Sequence, residues 1–243
     1  MKPKRRVRGL FVTGTDTGVG KTLIACALAA WAHRCGLDVG VMKPIATGGH
    51  RLDGRWVSED AVHLVRAAGS ADPWRLINPV CFREPLAPWT AARRARRPIQ
   101  LPAILTAFGQ LAACHDVVIV EGIGGLLVPL TERLTVADLA ARMALPIVVV
   151  ARPGLGTLNH TLLTLEEARR RGVPVRAVVL NHAEPPPRGP MARLAEATNP
   201  AALKRLARLP VFGPLPFHRG AGKNLAGWIE RGLGESTLAS ILT

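Results

Sequence analysis

Tyrosine is absent from the 243 residues, and five phenylalanines and five tryptophans are the only aromatics. A surface that stacks nucleic-acid bases between basic and aromatic side chains therefore has little to build from. Lysine is scarce too, with six against 26 arginines. The four cysteines, Cys26, Cys35, Cys81 and Cys114, form no C-x-x-C pair, share no zinc-like spacing with the seven histidines, and are accompanied by no H-E-x-x-H. They are expected to be reduced, mostly buried thiols. Apolar runs such as 117–120 and 147–151 are far too short to cross a bilayer. The apolar stretch after the basic residues 1–8 ends at Thr13, too early for a secretory signal. The chain is expected to be soluble and cytoplasmic, with no membrane partner.

Hydrophobic residues make up 48% and charged residues 20%, which excludes bulk disorder. The 24 glycines and 20 prolines follow no period, which excludes a collagen-like repeat. This length suits one large domain, 1–243, preceded by a short basic arm at 1–8. The net charge of +15 has two readings: a solvated arginine surface or a site for a polyanion. Without basic-aromatic interleaving the first is expected, and with it no nucleic-acid partner.

Buried strands are predicted at 9–13, 39–42, 117–120, 147–150 and 175–180, with a short one near 211–213. Helices are predicted at 22–34, 58–68 with Ser58 as cap, 102–113, 157–171, 201–207 and 225–231. Residues 48–57 and the proline-rich 183–190 read as loops. Strands alternating with helices imply an α/β fold, a mostly parallel sheet covered by helices on both faces.

The strongest chemical signal is Gly14-Thr15-Asp16-Thr17-Gly18-Val19-Gly20-Lys21-Thr22, between the first strand and the first helix. Successive backbone N–H groups at a helix start can curl round phosphate oxygens. Lys21 would meet the β- and γ-phosphates, and the Thr22 hydroxyl could ligate Mg²⁺. Five residues separate Gly14 from Gly20, one more than in the usual P-loop. Lys43, in Lys43-Pro44-Ile45-Ala46-Thr47-Gly48, follows the second strand and should emerge on the same sheet edge. Taken alone a lysine at a strand end is more often surface decoration, but this one is among only six in an arginine-rich chain, which favours a specific role. Glu121, in Glu121-Gly122-Ile123-Gly124-Gly125, ends the next buried strand, where a carboxylate can hold Mg²⁺ and glycines let backbone approach a ligand. Asp60 is a second candidate metal carboxylate, or an ordinary first-turn helix acid. Residues 154–160 open a further helix whose N–H groups suit a carboxylate, unless Thr157 is simply its cap.

In this order, with 78–88 (NPVCFREPLAP) and 145–164 (LPIVVVARPGLGTLNHTLLT), these stretches resemble the dethiobiotin synthetases over roughly residues 11–217. The resemblance implies a P-loop NTPase-like fold and an ATP-dependent cyclo-ligase. It would join CO₂ or bicarbonate to 7,8-diaminononanoate through a carbamate and a carbamate–phosphate anhydride, giving dethiobiotin, ADP and phosphate. The resemblance assigns Lys43 and Lys21 to catalysis and Thr22, Asp60 and Glu121 to the metal. It assigns the nucleotide to Gly18, Val19, Gly20, Lys21, Thr22, Leu23, Gly122, Ile123, Gly124, Asn181, His182, Pro216, Phe217 and His218, with Asn181 reading adenine. Thr17, Lys43 and Thr47 would face the diamine and its carbamate. Gly156, Thr157, Leu158 and Asn159 would receive its distant carboxylate from the other chain of a homodimer. Ile123 stands where the family commonly has a smaller residue, and His182 where an acid is often found.

Rival readings differ in identifiable residues. A partition or site-selecting ATPase that binds DNA or membrane would carry a second lysine early in the phosphate loop, where this chain has Thr15. An amide-forming synthase of the cobyrinate type would need a glutaminase domain, for which 243 residues leave no room.

Overall fold

The computed structural model describes residues 8–186, 189–219 and 224–242. Of the basic arm only Arg8 lies within them. In chain order the strands are β1 (Gly9–Gly14), β2 (Val39–Met42), β3 (Ile45–Ala46), β4 (His50–Leu52), β5 (Arg55–Val57), β6 (Val80–Cys81), β7 (Val117–Glu121), β8 (Ile147–Ala151), β9 (Val175–Asn181) and β10 (Val211–Leu215). The helices are α1 (Lys21–Arg34), α2 (Glu59–Ala68), α3 (Trp74–Ile77), α4 (Pro88–Arg94), α5 (Leu101–Cys114), α6 (Val136–Met143), α7 (Thr157–Arg170), α8 (Pro190–Ala207), α9 (Leu225–Leu233) and α10 (Glu235–Leu242).

Six strands form one parallel sheet in the order β10-β9-β8-β1-β7-β2. Its inner strands β1, β7 and β8 are buried at every position and almost wholly apolar, because both faces are covered. Side chains alternate between the faces. Leu10, Val12, Ile119, Val148 and Val150 pack with α1, α9 and α10 through Ile24, Leu28, Trp228, Ile229 and Leu238. Phe11, Val118, Val120, Ile147 and Val149 pack on the other side with Ile104, Phe108 and Leu111 of α5 and Val136 and Leu139 of α6. Each fully buried aliphatic side chain of this kind contributes roughly 1.5–3 kcal/mol relative to exposure.

The register positions the chemistry. Val12 lies opposite Glu121, and Met42 lies opposite Val120. The residue after Met42 is therefore level with Glu121, at the carboxyl rim where β1 also ends. Chain order and spatial order part at β1, whose neighbours are β7 and β8, and such a switch point opens a crevice at that rim.

Three expectations need correction. Residues 50–57 are not a loop but an antiparallel hairpin, β4–β5. Its two-residue turn holds Asp53 at φ 48° and Gly54 at φ 78°, the paired left-handed residues of a type I′ turn. The helix predicted at 201–207 is the last part of α8, which starts at Pro190 and runs through Pro200. Just before that proline, Asn199 donates its side-chain amide to the carbonyls of Pro153 and Gly154 at 2.8 and 3.1 Å, tying α8 to the loop before α7. The cysteines divide evenly, Cys26 and Cys81 buried and Cys35 and Cys114 exposed.

Candidate active site

α1 starts at Lys21 with Gly20 before it at φ 93°, and no side chain caps its first turn. The N–H groups that a serine or aspartate would satisfy are left for a ligand. Gly20 must be glycine for a second reason: a Cβ there would stand 2.2 Å from Asn181 Nδ2. Lys21 is 7% exposed and donates to the Asp16 carbonyl at 2.8 Å, folding the loop back over its own lysine. Burial, with Lys43 nearby, lowers the Lys21 ammonium to about 8, against the pull of Glu121, Asp60 and Asp16.

Lys43 is 2% exposed, so the surface reading fails. Its Nζ lies 2.7 Å from Glu121 Oε1 and 2.7 Å from Asp60 Oδ2, and it donates to the Gly122 carbonyl at 3.2 Å. Thr22 Oγ1 is within hydrogen-bond distance of the same carboxylates, 3.0 Å from Asp60 Oδ1 and 2.8 Å from Glu121 Oε1. Burial pulls Lys43 down, but the charges of Glu121 and Asp60 outweigh it and hold the ammonium above its ordinary value. Burial pushes Asp60 up, yet the Lys43 charge and hydrogen bond hold its carboxyl below the usual range. Burial raises Glu121, Asp60 adds to this, and Lys43 opposes it.

Asp60 is placed by the Ser58 cap of α2, where Ser58 Oγ accepts from Ala61 N–H at 3.2 Å. Asn78 joins that cap to Lys43. Its Oδ1 accepts from Ser58 N–H at 3.1 Å, and its Nδ2 donates to the carbonyls of Lys43 and Val80 at 2.8 and 3.2 Å. Asn78 belonged to a stretch singled out in the sequence but was given no role. Its type is a usable signal, since a buried amide must find backbone partners. Arg152, also missed, donates to the Thr17 carbonyl at 3.2 Å.

A cleft of about 810 Å³ opens over these groups. Thr17, Gly18, Gly20, Lys21, Thr22, Leu23, Lys43, Thr47, Asp60, Glu121, Ile123, Gly124, Phe217 and His218 line it, together with Ala46, His63, Val128, Ala183 and residues 85–88. Val19, Gly122, Asn181, His182 and Pro216 do not line it. Val19 and Asn181 are joined behind it, with Nδ2 of the amide 3.1 Å from the Val19 carbonyl and Oδ1 buried without a hydrogen-bond partner among the described residues. His182 turns to Glu196 at 3.8 Å. His218 packs on Trp228 with ring centroids 5.3 Å apart.

Gly156, Thr157, Leu158 and Asn159 lie outside the cleft. Thr157 is not the cap of α7. That position is Gly156 at φ 93°, and Thr157 is buried with its hydroxyl 3.3 Å from that of Thr161. The helix start is thus uncapped by any side chain, as at α1, and Leu155 before it is 96% exposed.

The oxygens of Thr22, Asp60 and Glu121 suit a magnesium ion, which takes one or two carboxylates and completes its shell with phosphate and water. Glu121 Oε2 supports that fit, being buried with no hydrogen-bond partner among the described residues. Two buried cations, two acids and the uncapped start of α1 in one cleft make a site for gathering anions.

A family profile described as an AAA domain matches residues 8–223. An ATP-dependent dethiobiotin synthetase, BioD, of Anaeromyxobacter dehalogenans strain 2CP-C is 50% identical over 211 residues, covering 87% of this chain and 91% of its own. A protein of the same description from Bacillus velezensis is 36% identical over 236 residues, covering 97% and 98%. Among solved structures, the cell division protein FtsY of Thermotoga maritima superposes with a TM-score of 0.51 at 15% identity, covering 99% of this chain and 70% of that one. Apo McdA of Cyanthece gives 0.55 at 11%, covering 97% and 98%. These two share the fold alone.

Proposed function

This chain belongs to the ATP-dependent dethiobiotin synthetases, and on that premise we propose which residues carry out each part of the reaction. The protein is an ATP-dependent ligase of biotin biosynthesis. Its other substrates are 7,8-diaminononanoate and CO₂, which is drawn from bicarbonate. One substrate amine takes up CO₂ as a carbamate. A carbamate oxygen then attacks the γ-phosphate, releasing ADP, and the second amine displaces phosphate as the ureido ring closes.

Carbamate and triphosphate repel each other, so the residues' first task is to hold two anions within about 3–3.5 Å. Lys21 and the uncapped N–H groups of α1 bind the phosphates. Lys43 reaches both the carbamate and the γ-phosphate, where negative charge shifts as the new bond forms. Thr17 and Thr47 orient the diamine, Asn181 offers its unpartnered Oδ1 to the adenine amino group, and Phe217 and His218 cover the base. His182 and Pro216 adjoin these nucleotide-binding residues in the chain, next to Asn181 and Phe217. Thr22, Asp60 and Glu121 hold Mg²⁺, which when bound neutralises phosphate charge.

The exposed Leu155, Leu127 and Leu163, at 96%, 62% and 62%, support a homodimer. In it the α7 start of one chain, from Gly156 to Asn159, takes the carboxylate of a diamine bound to the other. Among the described residues no helix is long and apolar enough to cross a membrane, and we place the enzyme in the cytoplasm.

The observation that carries the assignment is the buried Lys43 ammonium 2.7 Å from both Asp60 and Glu121, level with Lys21 and Thr22 in one cleft. Phosphate release should require the diamine with bicarbonate and be indifferent to DNA. Calorimetry should find ATP binding weakened in Lys21→Ala. Release stimulated by DNA but not by the diamine would favour the partition-type reading instead.

A further inference from the structure

Lys43 stands where the metal ion should stand. Its Nζ is bonded to Glu121 Oε1 and Asp60 Oδ2, each at 2.7 Å, and Thr22 Oγ1 completes the ring around those carboxylates. These are the three residues whose oxygens suit the ion. An ion at the usual 2.0–2.1 Å from those oxygens would come within roughly 2–4 Å of the ammonium, cation against cation in a buried setting. A single Thr22 hydroxyl proton also cannot serve both carboxylates fully, so the cluster depends on Lys43 for its charge balance.

We propose that the Lys43 ammonium and the divalent ion compete for one position, so that the ion enters as Lys43 turns away toward the phosphates and carbamate. The proposal rests on the assignment of Thr22, Asp60 and Glu121 as metal ligands. Its consequence is an ordered site. The ion binds poorly until a polyanion gives Lys43 somewhere else to go, and Lys43 reaches the reacting groups only when the ion has replaced it between the acids.

The backbone allows such an exchange without moving. Lys43 N–H donates to the Ile77 carbonyl at 2.7 Å, and its own carbonyl accepts from Asn78 Nδ2 at 2.8 Å. The main chain is held on both sides while the four-carbon stem remains rotatable. Asn78 also anchors the Ser58 cap that places Asp60, so the acids stay put as the ammonium swings.

The test follows Mn²⁺ binding by electron paramagnetic resonance on the full chain without nucleotide. Wild type and Lys43→Arg, which keeps the cation, should bind Mn²⁺ weakly. Lys43→Met should bind at least tenfold more tightly, and adding Glu121→Gln to it should remove the gain. Should Lys43→Met fail to fold by circular dichroism, Lys43→Gln serves in its place. Wild type binding Mn²⁺ without nucleotide as tightly as the Met or Gln variant would overturn the competition. A parallel titration with a non-hydrolysable ATP analogue separates the two layers. If Glu121→Gln weakens Mn²⁺ there, the ligand assignment survives the loss of the competition; if it does not, both fall.

Discussion

Asn181 donates its side-chain amide to the carbonyl of Val19 at 3.1 Å, joining residues 162 apart in sequence. The bond fixes the phosphate loop to the end of β9, and it runs so close to Gly20 that no Cβ fits there.

Gly20→Ala should therefore lose ATP affinity by tenfold or more and lower the melting temperature. The left-handed conformation at φ 93° costs an alanine roughly 1–2 kcal/mol before any clash. Asn181→Ala in the same chain removes the clash but not the strain, so the double variant should lose less stability than the sum of the singles. Calorimetry and thermal unfolding read both.

Lys43→Gln keeps a polar side chain of similar length and removes the charge. Turnover should fall by ~10²–10³ while ATP binding is largely retained, the size expected when one transition-state electrostatic contact is lost. Arginine should not restore full activity, because its planar fork is wider than an ammonium. Steady-state kinetics at saturating diamine and bicarbonate decide it, and near-normal turnover would remove Lys43 from the mechanism.

At the opposite rim, His115 bridges Asp38 and Asp72 at 2.8 and 3.0 Å. Burial pulls its imidazole down, but hydrogen bonds and charges from the two acids outweigh it and hold the group above its ordinary value. A raised folded-state value means that the imidazolium's contribution is complete below the unfolded value near 6.5. It is lost as pH rises through the higher folded value. His115→Leu should cost roughly 1–3 kcal/mol at pH 6 and progressively less toward pH 9. Urea unfolding across that range checks the slope, and turnover should be unaffected.

Much of the site was readable because its chemistry sits at strand ends. A G-K-T after a buried strand, a lysine one residue past the next, and a glutamate closing a third fall on one rim once the sheet is parallel. The order of the strands was not readable, so the contact of Lys43 with Glu121 was not either. The hairpin was missed although Asp53-Gly54 between short β-forming runs is its signal, because Arg51, Asp53, Gly54 and Arg55 made the stretch look merely polar. α8 was shortened because Pro200 reads as a boundary, whereas Asn199 anchors the helix there from the side. α4 and α6, of seven and eight residues, present too few apolar turns for a period to stand out. Asn78 acts only through the backbone atoms that the fold brings to it.

The strand between the two lysines is the last of the three to be made. β7 lies between β1 and β2, yet Glu121 leaves the ribosome 78 residues after Lys43. Until then Asp60 is the one acid of the pair that contacts Lys43, and β1 and β2 have no strand between them to pair with. β7 fills the place between them with an all-apolar segment and one carboxylate at its tip. Placing β7 between β1 and β2 is a non-local pairing of the kind that slows folding. Synthesis thus delivers the phosphate loop long before the residue that completes its charge balance.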